Sequence, residues 1–219
     1  MAKDADKPSK AAQQQLSIAI HKLKQGADSG EVLPTLEVVL AHLESLARHD
    51  PLTGALNRRT LKEMLVAELT RSYRTGHTFS VVVFAVDQFQ EIMDTYGRSV
   101  GVAVLRQVTE VAQAMLRTLD SFGRTTGNEF AIVMPTTWVD QSIKAINRFR
   151  TNLNEVDWEA IAPGLKVTFY TGITNNTQGD TADDMLVRAK EALEKAQAKG
   201  TGAIVQIEPG IPEFDPDKL

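Results

Sequence analysis

The chain has 219 residues, 42% hydrophobic and 24% charged, enough for one sizeable core and a small appendage. A net charge of −4 argues against nucleic acid as the main partner. The lack of cysteine excludes disulfides, thiolate metal sites and thiol nucleophiles. Residues 1–9 and the Pro- and acid-rich stretch 209–219 read as disordered tails. The polar opening "MAKDADKPSKAAQQQ" has no apolar core, so it is not a signal peptide. No apolar run approaches the length that crosses a bilayer, so a cytoplasmic location and no membrane partner are expected.

Residues 10–48 read as a helical module. "AAQQQLSIAIHKLK" sets Leu16, Ile20 and Leu23 on one face, and "QGADSGE" breaks it, with Ser29 as the expected N-cap of a second helix. That helix runs from about 31 to 48, with Pro34 tolerated in its first turn. Leu33, Leu36, Leu40, Leu43 and Ala47 recur at three- and four-residue steps, an a/d stripe of about two heptads, and Val32, Val39 and Leu46 widen the apolar face. Two readings stay open: a hairpin packing on its own domain, or a module that pairs with a second copy or another protein. From Asp50 the pattern changes. Helices are predicted over 58–74, 99–119, 141–153 and 181–199, and strands at 79–86, 165–174 and 202–207. "SFGRTTGNEFAIVMP" reads as a hairpin. Alternating helices and strands around a central hairpin predict an α+β fold, a mixed sheet flanked by helices.

Five stretches, in order and correctly spaced, carry a resemblance. They are "DPLTGALNRR" (50–59), "VDQFQEIMDTYG" (86–97), "RTLDSFGRTTGNEF" (117–130), "VTFYTGI" (167–173) and "ADDMLVRAKEALEKAQAKGTGAIV" (182–205). They resemble DxLTGxxNR, D-x-D-x-F-K-x-x-N-D-x-x-G, RxxD followed by the GGDEF loop, VTxSxGI, and the last helix and strand of the GGDEF family. Members of that family are the diguanylate cyclases, which join two GTP into cyclic di-GMP. The resemblance implies a nucleotidyl-cyclase-like domain over 49–208.

It also implies a site without its charge. The family's metal ligands fall on Ala85 and Asn128, and an amide brings no charge and no base. Its guanine contacts fall on Met93 and Val102. Its phosphate grips fall on Gln90, Gln197 and Thr201, and Thr126 replaces the first glycine of the loop. Of the loop, Gly127, Glu129 and Phe130 remain. A lone Glu129 reads as a turn carboxylate bonded to backbone, Asp87 as a strand-end cap, and no cofactor, Mg²⁺ included, is expected.

Arg117 and Asp120 keep the RxxD register, which in the family is an inhibitory site for cyclic di-GMP. Arg148 or Arg150 is a candidate additional arginine. A guanidinium grips guanine O6/N7 or phosphate, and a carboxylate accepts from guanine N–H donors. The bland reading is an exposed i,i+3 ion pair at a helix end. The sequence therefore points to a catalytically inactive receptor in cyclic di-GMP signalling. The alternatives are a nucleotide-independent interaction module and a residual cyclase.

Overall fold

The computed structural model describes residues 10–26 and 28–209, so the expected tails lie outside the described residues except for Pro209. The chain divides after Pro51.

The first unit contains α1 (Lys10–Lys24) and α2 (Ser29–Arg48), which pack on each other. α2 starts two residues before the expected position, and its N-cap is Asp28 rather than Ser29. Pro34 therefore lies past the first turn. The bond it removes is the one to the carbonyl of Gly30, an exposed residue of the opening turn where water can substitute. The packing differs from the expected stripe. Ala19, Val32 and Val39 are buried, while Leu16, Ile20, Leu23, Leu33, Leu40 and Leu43 are exposed. Small and β-branched residues let the two helices meet and leave the larger leucines outside.

The second unit runs β1 (Leu56–Asn57), α3 (Arg58–Thr75), β2 (Ser80–Val86), α4 (Phe89–Tyr96), α5 (Arg98–Met115), β3 (Ser121–Thr126), β4 (Glu129–Met134), α6 (Val139–Asn154), α7 (Trp158–Ile161), β5 (Phe169–Asn175), α8 (Ala182–Lys199) and β6 (Ile204–Gln206). The sheet order is β1-β3-β4-β2-β5-β6, with parallel pairs at both edges and antiparallel pairs between. β2 is buried along its whole length, which is why its sequence is an unbroken apolar run rather than an alternating one.

Alternate residues of the strands face two cores. Val82, Phe84, Phe130 and Phe169 meet Leu105, Ile146 and Phe149 of α5 and α6. Val81, Val83, Ala85 and Val133 meet Leu61, Leu65 and Leu69 of α3 and Met185, Ala189 and Leu193 of α8. The Phe84 ring sits 5.3 Å from Phe130 and 5.2 Å from Phe149. α8 comes close to the sheet because Gly172 lies beneath it; a Cβ there would stand 2.2 Å from the Ala189 carbonyl oxygen.

Three elements were not predicted: β1, α4 and α7. Two predicted bounds also shift. α5 stops at Met115 instead of 119, because Leu116 turns extended, and β5 begins only at Phe169. Among the described residues, no helix is long and apolar enough to cross a membrane.

Candidate functional site

The end of β2 is bound on both sides. Ala85 is buried and pairs with Glu129 of β4 and Tyr170 of β5. The Val86 N–H donates to the Asn128 carbonyl at 3.2 Å, and Asn128 Nδ2 donates back to the Val86 carbonyl at 2.6 Å. The β3–β4 turn closes on itself. Arg124 donates through Nε and Nη2 to the Gly127 carbonyl at 2.9 and 2.6 Å, and Gly127 takes φ +44°. Thr125 Oγ1 donates to the Glu129 carbonyl at 3.2 Å. It is thus the backbone of Glu129 that is tied. Its carboxylate has no hydrogen-bond or ion-pair partner among the described residues, which corrects the expected backbone-bonded turn carboxylate.

Asp87 is 3% exposed. Its Oδ2 accepts from Thr168 Oγ1 at 3.1 Å, and its N–H donates to the Thr168 carbonyl, so it ties the end of β2 to the segment entering β5. Its Oδ1 is buried without a partner. Tyr170, the cross-strand partner of Ala85, lies near the Asp87 carboxylate. The acceptor oxygens of Asp87 and then burial raise the phenol's pKa above the ordinary 10.0. Among the described residues, no three His, Asp or Glu side chains are grouped to hold a metal ion.

The neighbouring crevice is apolar. A Cβ on Gly101 would lie 2.7 Å from Met93 Cγ and 3.4 Å from Phe89, so the Met93 chain lies directly on the bare glycine between α4 and α5. Gln90 Nε2 donates to Asp94 Oδ1 at 2.9 Å along its own helix, and Gln197 and Thr201 are exposed at the end of α8.

A second group of residues lies where α5 gives way to β3. Because α5 ends early, Arg117–Asp120 is a turn and not a helix end. Asp120 Oδ2 accepts the Arg117 backbone N–H at 2.9 Å, and the Asp120 N–H returns to the Arg117 carbonyl at 3.0 Å. The expected side-chain ion pair is not formed. The Arg117 guanidinium is exposed and donates no hydrogen bond among the described residues. Burial raises the Asp120 pKa above its ordinary 3.8, offset in part by the Arg117 N–H and by the charges of Arg117 and Arg148. Arg148 reaches this corner from α6, with Nη2 donating to the Met115 carbonyl at 3.1 Å. Arg150 does not join the group. Its Nη2 donates to the Gly202 carbonyl at 2.6 Å and its guanidinium lies 5.7 Å from the Phe169 ring centroid. Residues two apart on a helix face away from each other, so only one of the two arginines can serve. Leu119, within the turn, is 67% exposed.

Residues 47–203 match the family described as "Diguanylate cyclase, GGDEF domain". The chain belongs to the GGDEF family. It is 32% identical over 170 residues to the response regulator PleD of Caulobacter vibrioides, covering 76% of this chain and 37% of PleD. It thus spans about a third of that relative's length. Diguanylate cyclase SiaD of Pseudomonas aeruginosa, solved in complex with its activator SiaC, is 28% identical; the match covers 92% of this chain and 79% of SiaD at TM-score 0.69. The coiled coil and GGDEF domain of DgcB from Caulobacter crescentus, solved with c-di-GMP, has the same fold at TM-score 0.74 and 21% identity, covering 85% of this chain and 100% of that one.

In GGDEF terms, the positions that resemblance assigns to metal, guanine and phosphate carry Ala85, Asn128, Met93, Val102, Gln90, Gln197 and Thr201. Ala85 and Asn128 do not fit a divalent cation. One has no donor atom, and the other turns an N–H toward the nearest carbonyl oxygen. The sequence reading gave no role to Tyr170. Its signal was a tyrosine where the VTxSxGI pattern of the GGDEF family has serine.

Proposed function

We propose that this chain is a non-catalytic GGDEF domain that serves as a cyclic di-GMP receptor in the cytoplasm, with Arg117, Asp120 and Arg148 as its contacts. One observation carries the reading: the exposed Arg117 guanidinium donates no hydrogen bond among the described residues, while Asp120 is fixed beside it by the backbone of the same turn. A free planar fork next to a positioned carboxylate suits a guanine edge, which offers both acceptors and donors. Arg148 adds positive charge against the ligand's phosphates. GTP condensation needs charge neutralised at the phosphates, and the described residues at the old loop supply neither a cation site nor a general base with a partner. No Mg²⁺ requirement is expected. The test pairs a cyclase assay with calorimetry. The chain should form no cyclic di-GMP from GTP with Mg²⁺ or Mn²⁺, and it should bind added cyclic di-GMP. Sustained turnover abolished by Glu129→Ala would favour the residual-cyclase reading.

A second reading, a protein-interaction module independent of nucleotide, rests on the helical hairpin. Its outward Leu33, Leu40 and Leu43, with Leu16, Ile20 and Leu23 on α1, form apolar surface that a second copy or another protein would cover. SiaD, a relative solved with a protein activator, supports that possibility for this chain. Light scattering of the whole chain against one beginning at residue 49 separates the cases. A dimer that becomes a monomer on truncation assigns the hairpin to self-association.

A further inference from the structure

We propose that Tyr170 occupies the ground on which a bound nucleotide's phosphates and cation would stand, so that the domain is closed to GTP by its own side chain as well as by the loss of ligands. The inference rests on the non-catalytic reading above and adds a residue to it.

Tyr170 is the cross-strand partner of Ala85, so their Cβ atoms stand side by side on the α3/α8 face of the sheet, roughly 5 Å apart. Trimming position 85 to a methyl removes a carboxylate from that face. A tyrosine beside it supplies a ring to cover the space. That ring packs against Ala192, Ala196 and Val205, and the smallness of the α8 alanines leaves room for it. The register places Tyr170 one pair before Val86–Phe169 along β2, on the strand that flanks the end of β2, and the Asp87 carboxylate lies near enough to raise the phenol's pKa. One side chain therefore stands beside the position mapped to the metal and lies along the end of α8 that leads to the position mapped to the phosphate grip.

Asn128 completes the closure from the other side. Its amide N–H lies 2.6 Å from the Val86 carbonyl oxygen. An aspartate in that conformation would set a carboxylate oxygen against a carbonyl oxygen, an arrangement that calls for a cation between them. The amide donor makes the contact without one. Of the buried polar side-chain atoms here, only Asp87 Oδ1 lacks a partner among the described residues, and a triphosphate would have to displace the phenol to enter.

The deciding experiment restores the mapped contacts and varies Tyr170 alone. One variant carries Ala85→Asp, Gln90→Lys, Met93→Asn, Val102→Asp, Asn128→Asp, Gln197→Lys and Thr201→Arg; a second adds Tyr170→Ser. Both are titrated by calorimetry with a non-hydrolysable GTP analogue and Mg²⁺, after circular dichroism shows each to be folded. The expected result is binding about a hundredfold or more tighter when Tyr170 is replaced. Equal affinity in the two variants, or binding in neither, overturns the proposal. Should the grafted variants not fold, the pair carrying only Ala85→Asp and Asn128→Asp, with and without Tyr170→Ser, is titrated with Mn²⁺ alone. Tighter binding when Tyr170 is replaced is expected, and equal affinity, or binding in neither, overturns the proposal. Neither readout involves cyclic di-GMP, so failure here leaves the receptor reading intact, and failure of the receptor titration leaves this one intact.

Discussion

Arg117 and Asp120 divide the work of one turn: the carboxylate holds the backbone, and the guanidinium is left to the solvent. If the guanidinium grips the dinucleotide by charge-assisted paired bonds, Arg117→Ala should cost roughly 1.5–3 kcal/mol, about one to two decades in affinity. Arg117→Lys should recover only part of that, since an ammonium lacks the planar fork. Calorimetry of the three proteins side by side checks both statements. Asp120 adds a pH dependence. Its folded pKa is raised, so the folded state holds the proton more readily than the unfolded chain, and this group's contribution to stability declines as pH rises from 3.8 through the folded value. Binding through the ionised carboxylate has the opposite sign. Affinity should fall as pH drops through that raised pKa, at a higher pH than for an ordinary aspartate, and Asp120→Asn should remove the dependence. At the old loop, Asn128→Asp replaces a donor with an acceptor facing the Val86 carbonyl. It should cost about 1–3 kcal/mol in urea unfolding at neutral pH and should not restore cyclase activity. An unchanged midpoint would show that the amide contact contributes nothing.

At the scale of elements, the sheet was legible because β2 and the β3–β4 hairpin declare themselves by apolar runs and turn chemistry, and α8 by its stripe and by Thr181 capping Asp184 N–H. The elements left out are short or locally unusual. β1 is a two-residue edge strand, α7 has four residues, and α4 is entered through Gln88 at φ +48°, a conformation no periodicity reveals. The misplaced end of α5 had the largest consequence. Taken as helix to 119, it makes Arg117 and Asp120 an i,i+3 pair. Ended at 115, it makes them a turn, because the Asp120 side chain competes for the backbone N–H that a helix would use. The hairpin face was misread for another reason. A heptad stripe shows that a helix has an apolar side, and the stripe does not name what covers it. In the structure Ala19, Val32 and Val39 seal the pair, so Leu40→Asp should leave the fold's melting temperature nearly unchanged and weaken any self-association seen by light scattering. Gly172→Ala is the opposite kind of change. Its Cβ would meet backbone atoms of α8 at 2.2 and 2.3 Å, and it should destabilise by about 1–3 kcal/mol or more in chemical denaturation.

Over the whole molecule, the positions mapped to metal, guanine and phosphate depart from the family pattern, while the two cores on either face of the sheet are apolar. The function proposed for this domain is to read cyclic di-GMP without making it. The most direct measurement is a calorimetric titration of cyclic di-GMP into the full chain, with GTP and Mg²⁺ as the parallel titrant. Saturable heat is expected from the dinucleotide, weakened by Arg117→Ala, and none from GTP. Heat from GTP with Mg²⁺ and none from cyclic di-GMP would contradict it.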